Sequence, residues 1–319
     1  MNWNHLISIL VVLFLLELLY FKVADYFNIV DKPNHRSSHT RITIRGGGGI
    51  FVIAPLICSF YTNLLYPYFS GGLLLIGFIS FIDDVNPVSN KIRITFHLAA
   101  VTLMFMQIEL FTLPYYWVIM ALIFVIGTIN AINFMDGING ITGAYGLVTL
   151  STLYFINRSV NFTDPALLIS AILSLIVFNF FNFRGKAVCF AGDVGSISLA
   201  FIVLFFVLQL ILHTQSLSYL LLLLVYGLDT FTTIVFRLIR KENIFEAHRS
   251  HFYQFWANEK KVPHLIIAAS YGLMQLIINI ASLNFSISFS VLIVVFLVSV
   301  ITFAIIRIYI EGRKRLMKF

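Results

Sequence analysis

The sequence predicts an all-α protein threaded many times through a membrane, and three observations lead there. Of its 319 residues 60% are hydrophobic and only 11% are charged, against roughly 25% charged in an ordinary soluble domain. Apolar runs near the roughly 20 residues that cross a bilayer recur along the whole length. The basic residues, finally, fall almost entirely in alternate loops, as the loops of a multi-span protein require.

Cutting the chain at charges, Pro and Gly predicts about eleven spans, at 5–23, 46–66, 67–82, 94–111, 114–132, 140–157, 165–182, 195–213, 217–237, 265–283 and 286–309. The longest gaps, 24–45 and 238–264, are shorter than the about 50 residues of an independent domain. Residues 1–319 are therefore expected to form a single integral membrane domain whose active surface is built from loops and helix ends. Of the 21 Lys and Arg residues only Arg158 falls on the opposite side from the rest. Translocating positive charge is disfavoured, so the basic side is expected to face the cytoplasm, with the N-terminus outside and the C-terminus inside. That orientation needs an odd number of spans.

The first span reads as retained, because residues 1–5 carry no Lys or Arg and no A-x-A-like site follows. Cys58 and Cys189 give neither a disulfide framework nor a thiolate metal spacing. The net charge of +7 follows from the loop bias, and no nucleic-acid-binding module fits these loops, so no nucleic acid partner is expected.

Carboxylates are costly near hydrocarbon, so the few present carry information. Asp83 and Asp84 end the third span, where a helix C-terminus already presents partial negative charge. They call for a cation, either a hard divalent ion such as Mg²⁺ or Lys91 with Arg93; a solvated turn before Pro87 is the alternative. Asn130 and Asn133, three apart on one helix face, point into one space before the chain turns at Asp136-Gly137, with Asn139 and Gly140 beyond. A helix-packing polar pair with an ordinary turn is the plainer account. Residues 190–196, Phe-Ala-Gly-Asp-Val-Gly-Ser, open the eighth span. A glycine-flanked helix start offers amides to phosphate, and Asp193 is placed to hold the metal that phosphate shares, or simply to cap the helix. In the long basic loop, His248-Arg249-Ser250-His251 suits a pyrophosphate or a sugar, or a surface histidine pair near anionic lipid; two ligands alone make a poor zinc site. Asp229, near the middle of the ninth span, is a second-tier candidate for function or for a structural hydrogen bond.

Taken in order, these clusters resemble the polyprenyl-phosphate N-acetylhexosamine-1-phosphate transferases, glycosyltransferase family 4. The resemblance covers most of the chain. It begins with residues 31–39, Asp-Lys-Pro-Asn-His-Arg-Ser-Ser-His, and Arg45-Gly46-Gly47-Gly48, similar to the family's first cytoplasmic loop. Asp83-Asp84 with Lys91 and Arg93 resembles its aspartate-pair motif. Asn130-x-x-Asn133-x-x-Asp136-Gly137-x-x-Gly140 and Gly192-Asp193-x-Gly195-Ser196 resemble its Asn/Asp-Gly and metal-binding motifs, and His248-x-x-His251-x-Tyr253-Gln254 its histidine-containing sugar loop. Three departures stand out. Asn139 replaces the second Asp of many members, Arg184-Gly185-Lys186 replaces a Pro-Ala-type approach with one residue inserted after Asn182, and the histidine loop has two separated His, as in members that initiate O-antigen or capsule chains.

The resemblance implies transfer of an N-acetylhexosamine 1-phosphate, GlcNAc or a 6-deoxy relative, from its UDP derivative to undecaprenyl phosphate, with UMP released. This would be the first membrane step of a cell-envelope glycan such as lipopolysaccharide O-antigen, in a bacterial inner membrane. It implies Mg²⁺, with Mn²⁺ as an alternative, on Asp193 and Asp84. It also implies that Asp83 or Asp84 deprotonates or orients the lipid phosphate, and a phospho-aspartate route stays open. Nucleotide contacts are implied for Asn130, Asn133, Asp136, Asn139 and Phe190, phosphate or sugar contacts for Lys91, Arg93, His248, Arg249 and His251, and a place in substrate binding for Arg45 and Asn182. Beyond its lipid and nucleotide-sugar partners, a homodimer stays open. The rival readings are a secondary transporter of an anionic solute, which needs midplane polar groups and inverted repeats, and a silent scaffold for other glycan enzymes.

Overall fold

A computed structural model describes residues 3–33, 38, 40–244, 246, 248–283 and 287–318. The helices, in chain order, are α1 (Trp3–Tyr26), α2 (Ile50–Tyr61), α3 (Pro67–Val85), α4 (Asn90–Gln107), α5 (Tyr115–Met135), α6 (Ile141–Val160), α7 (Pro165–Asn182), α8 (Gly192–Thr214), α9 (Leu224–Ile239), α10 (Phe252–Asn258), α11 (His264–Leu283), α12 (Phe289–Glu311) and α13 (Arg313–Met317). Each of the eleven expected segments contains a helix. Among the described residues eight helices are long and apolar enough to cross a membrane, rather than eleven. The other three are α2, α4 and α6. The first has only 12 residues, α4 carries Lys91, Arg93 and His97, and α6 is rich in Gly, Ser and Thr, which lowers its hydropathy.

Local chemistry sets several boundaries. Pro67 and Pro165 sit in the first turns of α3 and α7, where the missing N–H has no partner to lose. Asp164 accepts the Ala166 amide at 2.7 Å as an N-cap of α7. The ninth span starts as a 3₁₀ helix, Leu217–Leu223, before α9 begins. Gln275 of α11 bridges that irregular junction, donating to the Leu221 carbonyl at 2.8 Å and accepting the Val225 amide at 3.0 Å. Backbone groups freed inside a membrane need such a partner.

Helix α8 is the central post, buried on almost all sides, which is how a helix apolar around its whole circumference must sit. Phe69 of α3 stacks on Phe205 of α8 with ring centroids 4.2 Å apart. By contrast, α1 and α12 expose most of their surface to the surroundings, as lipid-facing helices do. Two loops meet over the start of α8. Val30–Asp31 and Thr43–Ile44 form a short antiparallel pair, and the Phe190 amide donates to the Ile44 carbonyl at 2.8 Å. Gly47 and Gly48 then donate to the carbonyls of Phe190 and Ala191 at 2.9 and 3.0 Å. A Cβ on Gly48 would collide with the Gly195 backbone, so both glycine motifs exist in part to let these backbones touch.

Candidate active site

Five stretches that are far apart in sequence line one cavity of about 380 Å³, within the range of small-molecule sites. Asp31, Ser38 and Arg45 come from the first loop, Asn133 to Asn139 from the end of α5, and Asn182 with Phe190, Gly192 and Asp193 from the approach to α8. Tyr253 and Gln254 of α10 and His264 of α11 close it. The Tyr253 hydroxyl donates to the Phe134 carbonyl at 3.0 Å and covers Gly137 so closely that a Cβ there would collide with it. The histidine loop is thereby seated on the Asp136-Gly137 turn.

At the wall nearest α3 lies a charged cluster. Asp84 is fully buried, with Oδ1 held by Arg45 Nε at 2.6 Å. Its oxygens also accept the amides of Asp193 and Val194 at 2.8 and 2.9 Å. It therefore caps α8 from a neighbouring helix, satisfying first-turn N–H groups and the dipole end. This corrects the expectation that these amides face phosphate: two are already taken by Asp84. Gly192, at φ 72°, is in the left-handed region, and a Cβ there would strike the Asp84 carboxylate.

Asp83 turns the other way. Its Oδ1 accepts the Val88 amide at 2.6 Å, and its Oδ2 lies 3.1 Å from Arg93. Asp193 is within hydrogen-bonding reach of Asp83, 3.3 Å from Arg45 and 3.8 Å from Arg93, and also lines the cavity. Burial opposes the Arg45 charge, but Asp84, Asp193 and Asp31 outweigh it and raise its pKa. Lys91 is exposed at the start of α4 and does not line the cavity.

The Asn/Asp-Gly motif divides. Asn133 lines the cavity and accepts from Ser196 Oγ at 2.5 Å, whereas Asn130 turns back to donate to the Ile126 carbonyl of its own helix at 2.8 Å. Asp136 accepts from Thr142 at 2.6 Å; burial pushes its carboxyl up to about 6 against that bond. Asn182 ties two loops, donating to the Cys189 carbonyl at 2.8 Å and accepting the Gly140 amide at 2.7 Å. Asn139 donates to the Arg184 carbonyl at 3.0 Å, while its own Oδ1 is buried without a partner.

The two histidines stand behind the cavity wall. His251 is buried and its Nδ1 lies 3.2 Å from Asp229. His248 stacks on it at 4.9 Å and packs on Phe134 at 5.4 Å; burial and the neighbouring His251 lower its pKa to about 3, so it is neutral at pH 7. Arg249, between them, is partly exposed. Asp229 is not open to a solute. It accepts the amides of Phe252 and Tyr253 at 2.9 and 3.2 Å and the Tyr271 hydroxyl at 2.7 Å, and Arg307 lies 3.7 Å away. Of its two readings, the structural hydrogen bond describes its surroundings.

Sequence reasoning passed over Asp31, Ser38, Tyr253, Gln254 and His264 as site residues. Asp31, Ser38, Tyr253 and Gln254 lie inside the quoted motifs, so proximity to Arg45 and His251 was a usable signal; nothing local marks His264. Asn34 to Ser37 and His39 of the first-loop motif lie outside the described residues.

Among the described residues no three His, Cys, Asp or Glu side chains converge on a metal position. Mg²⁺ does not need such a cage, since it takes one or two carboxylates together with substrate phosphates. Asp83 and Asp193 supply two hard oxygen donors in a like-charged pair, so the donor set fits. With Asp84 committed to α8 and Arg45, Asp83 is the better partner for Asp193 than the expected Asp84.

No curated protein matches the chain. Residues 66–211, from the start of α3 to near the end of α8, match the family model described as glycosyl transferase family 4. That segment carries Asp83, Asp84, the Asn/Asp-Gly motif and Asp193 together, and the match supports membership of glycosyl transferase family 4, whose members are phospho-sugar transferases.

Proposed function

We propose that the chain transfers N-acetylhexosamine 1-phosphate from a UDP-sugar to undecaprenyl phosphate at the cytoplasmic face of a bacterial inner membrane. The observation that carries this reading is the position of Asp193. It lines the cavity on one side and touches Asp83 and Arg93 on the other. A nucleotide sugar in the cavity and a lipid phosphate at the α3–α4 turn then meet across one carboxylate.

Phosphoryl transfer asks the protein mainly to align an in-line attack and to neutralise charge. Phe190, Asn133, Asp136 and Asn139 hold the nucleotide, and Arg45 faces its diphosphate. Arg93, with Lys91 at the rim, draws the lipid phosphate in, and Asp83 orients it or takes its remaining proton. A lipid-phosphate oxygen bonds to the phosphorus that bears the sugar, the bond from that phosphorus to the UMP oxygen breaks, and UMP leaves. Asp193 and Asp83 would hold Mg²⁺, which would supply neutralisation of phosphate charge. His251 acts through position, since its loop brings Tyr253 and Gln254 to the cavity.

Asp229, the central carboxylate, is closed in by protein donors, so it lends no support to transport. The test is UMP release by purified protein given undecaprenyl phosphate, Mg²⁺ and a panel of UDP-N-acetylhexosamines. Release that requires both lipid and Mg²⁺ is expected with at least one donor; no release with any donor contradicts the reading.

A further inference from the structure

We infer that Arg45 and a divalent cation compete for Asp193, so that the ion takes hold only as the arginine lets go; this rests on the metal reading above. Both carboxylate oxygens of Asp193 already face arginine. Arg45 Nη2 lies 3.3 Å from Oδ1, and Arg93, held to Asp83 at 3.1 Å, reaches Oδ2 only at 3.8 Å. Arg45 is the nearer counter-charge.

The two arms of Arg45 are unequal. Its Nε is 2.6 Å from Asp84 Oδ1, whereas its reach to Asp193 exceeds the about 2.7–2.9 Å of a tight charge-assisted bond. The backbone beneath is pinned, because the Arg45 N–H donates to the Ile29 carbonyl at 3.1 Å and its carbonyl accepts the Tyr20 hydroxyl at 2.5 Å. With the backbone and Nε held, the freedom left is at the end of the guanidinium that touches Asp193. That side chain is one-third exposed and lines the same cavity as Asp193. A rotation that keeps Nε on Asp84 carries Nη2 from Asp193 toward an anion in the cavity.

The loose arm and a metal ion want one place. Mg²⁺ binds a carboxylate oxygen at about 2.0–2.1 Å, and a guanidinium on the same oxygen sets a second positive charge beside it. The Asp193 side chain is only 18% exposed, and like charges so close repel strongly where water is scarce. A diphosphate in the cavity relieves the conflict, since it gives the released arm a new anionic partner. Affinity for the ion is therefore low without a diphosphate and higher with one, and by linkage the ion strengthens diphosphate binding equally.

Titration of the purified full-length protein with Mn²⁺ in the absence of nucleotide tests this, the free ion being read by its EPR signal. Arg45→Gln is expected to bind Mn²⁺ about tenfold more tightly than wild type, the worth of one hydrogen bond between charged groups. Arg45→Lys keeps a charge, which the buried Asp84 claims, but lacks the fork that spans two carboxylates. It is expected to gain about threefold, half of that free energy. A gain in Arg45→Gln with none in Arg45→Lys shows charge acting at a distance and overturns the exchange. Wild-type affinity in both variants also overturns it and leaves the metal reading intact. Adding Asp193→Asn to either variant should cancel its gain; a gain that survives places the ion on another carboxylate and overturns the inference. Should Arg45→Gln not fold, Arg45→Lys decides alone: a gain supports the exchange, and wild-type affinity overturns it. Mn²⁺ binding by none of the three proteins overturns the inference, and the metal reading then stands or falls on the Mg²⁺ requirement of UMP release.

Discussion

Asp84 and Asp229 are two versions of one device. Each is a fully buried carboxylate on a membrane helix that caps the N-terminus of another helix, α8 in one case and α10 in the other. Each is matched by an arginine, Arg45 at 2.6 Å and Arg307 at 3.7 Å. The surroundings differ. Around Asp229 the network closes on itself: Arg307 is completely buried and also holds Glu311, Thr232, Thr233 and the Ser250 carbonyl. Around Asp84 it stays open, because Arg45 is one-third exposed and Asp83 and Asp193 add two more carboxylates against one more arginine, Arg93. The closed network positions the histidine loop, whereas the open one has charge left to offer a ligand.

The largest effect is expected where structure and site coincide. Asp84→Asn takes from Arg45 its nearest counter-charge, leaves the more distant Asp193, and weakens the cap of α8. The loss, short of the about 3–5 kcal/mol of a fully buried pair because Arg45 is one-third exposed, should appear as a lower melting midpoint in detergent, together with loss of UMP release. Asp229→Asn should cost stability on the same scale, yet the protein that remains folded should release UMP within about tenfold of wild type. Equal loss of turnover per folded molecule in both variants would erase the contrast.

A pH series gives a smaller effect. Asp136 titrates at about 6 when folded, against about 3.9 in an unfolded chain. Between those values the folded form keeps a proton that the unfolded form releases, so the folded state loses stability as pH rises from about 4 to about 6. Melting midpoints of wild type should fall relative to Asp136→Asn across that window and run parallel above it. Smallest of all, Asn130→Ala should change the apparent UDP-sugar affinity by less than about twofold, as expected for a residue that contacts no ligand. Asn133→Ala, at the cavity wall, should weaken it several-fold.

Hydropathy made the helices legible, because each membrane segment announces itself locally. The short α10 was not, since seven residues carry no span signal. The costly residues were visible too: Asp84, Asp193 and Asp229 stand out against an apolar chain. What one-dimensional reading could not supply was their partners. Asp84 meets Asp193 across 109 positions and Asp229 meets His251 across 22, so a glycine-flanked helix start looked ready for phosphate when a distant carboxylate already occupied its amides. Asn130 and Asn133 share a helix face, but only the second reaches the cavity, a difference set by the packing of α8 through Ser196.

The division of labour between the paired aspartates rests most directly on Asp193→Asn. The substitution removes a carboxylate from a like-charged pair without disturbing the Asp84 cap. Purified Asp193→Asn is expected to melt at or above the wild-type midpoint and to lose UMP release on the order of 10³-fold, the scale on which a single charged group acts in phosphoryl transfer. Wild-type turnover by that folded variant, with Mg²⁺ and undecaprenyl phosphate saturating, would contradict that division.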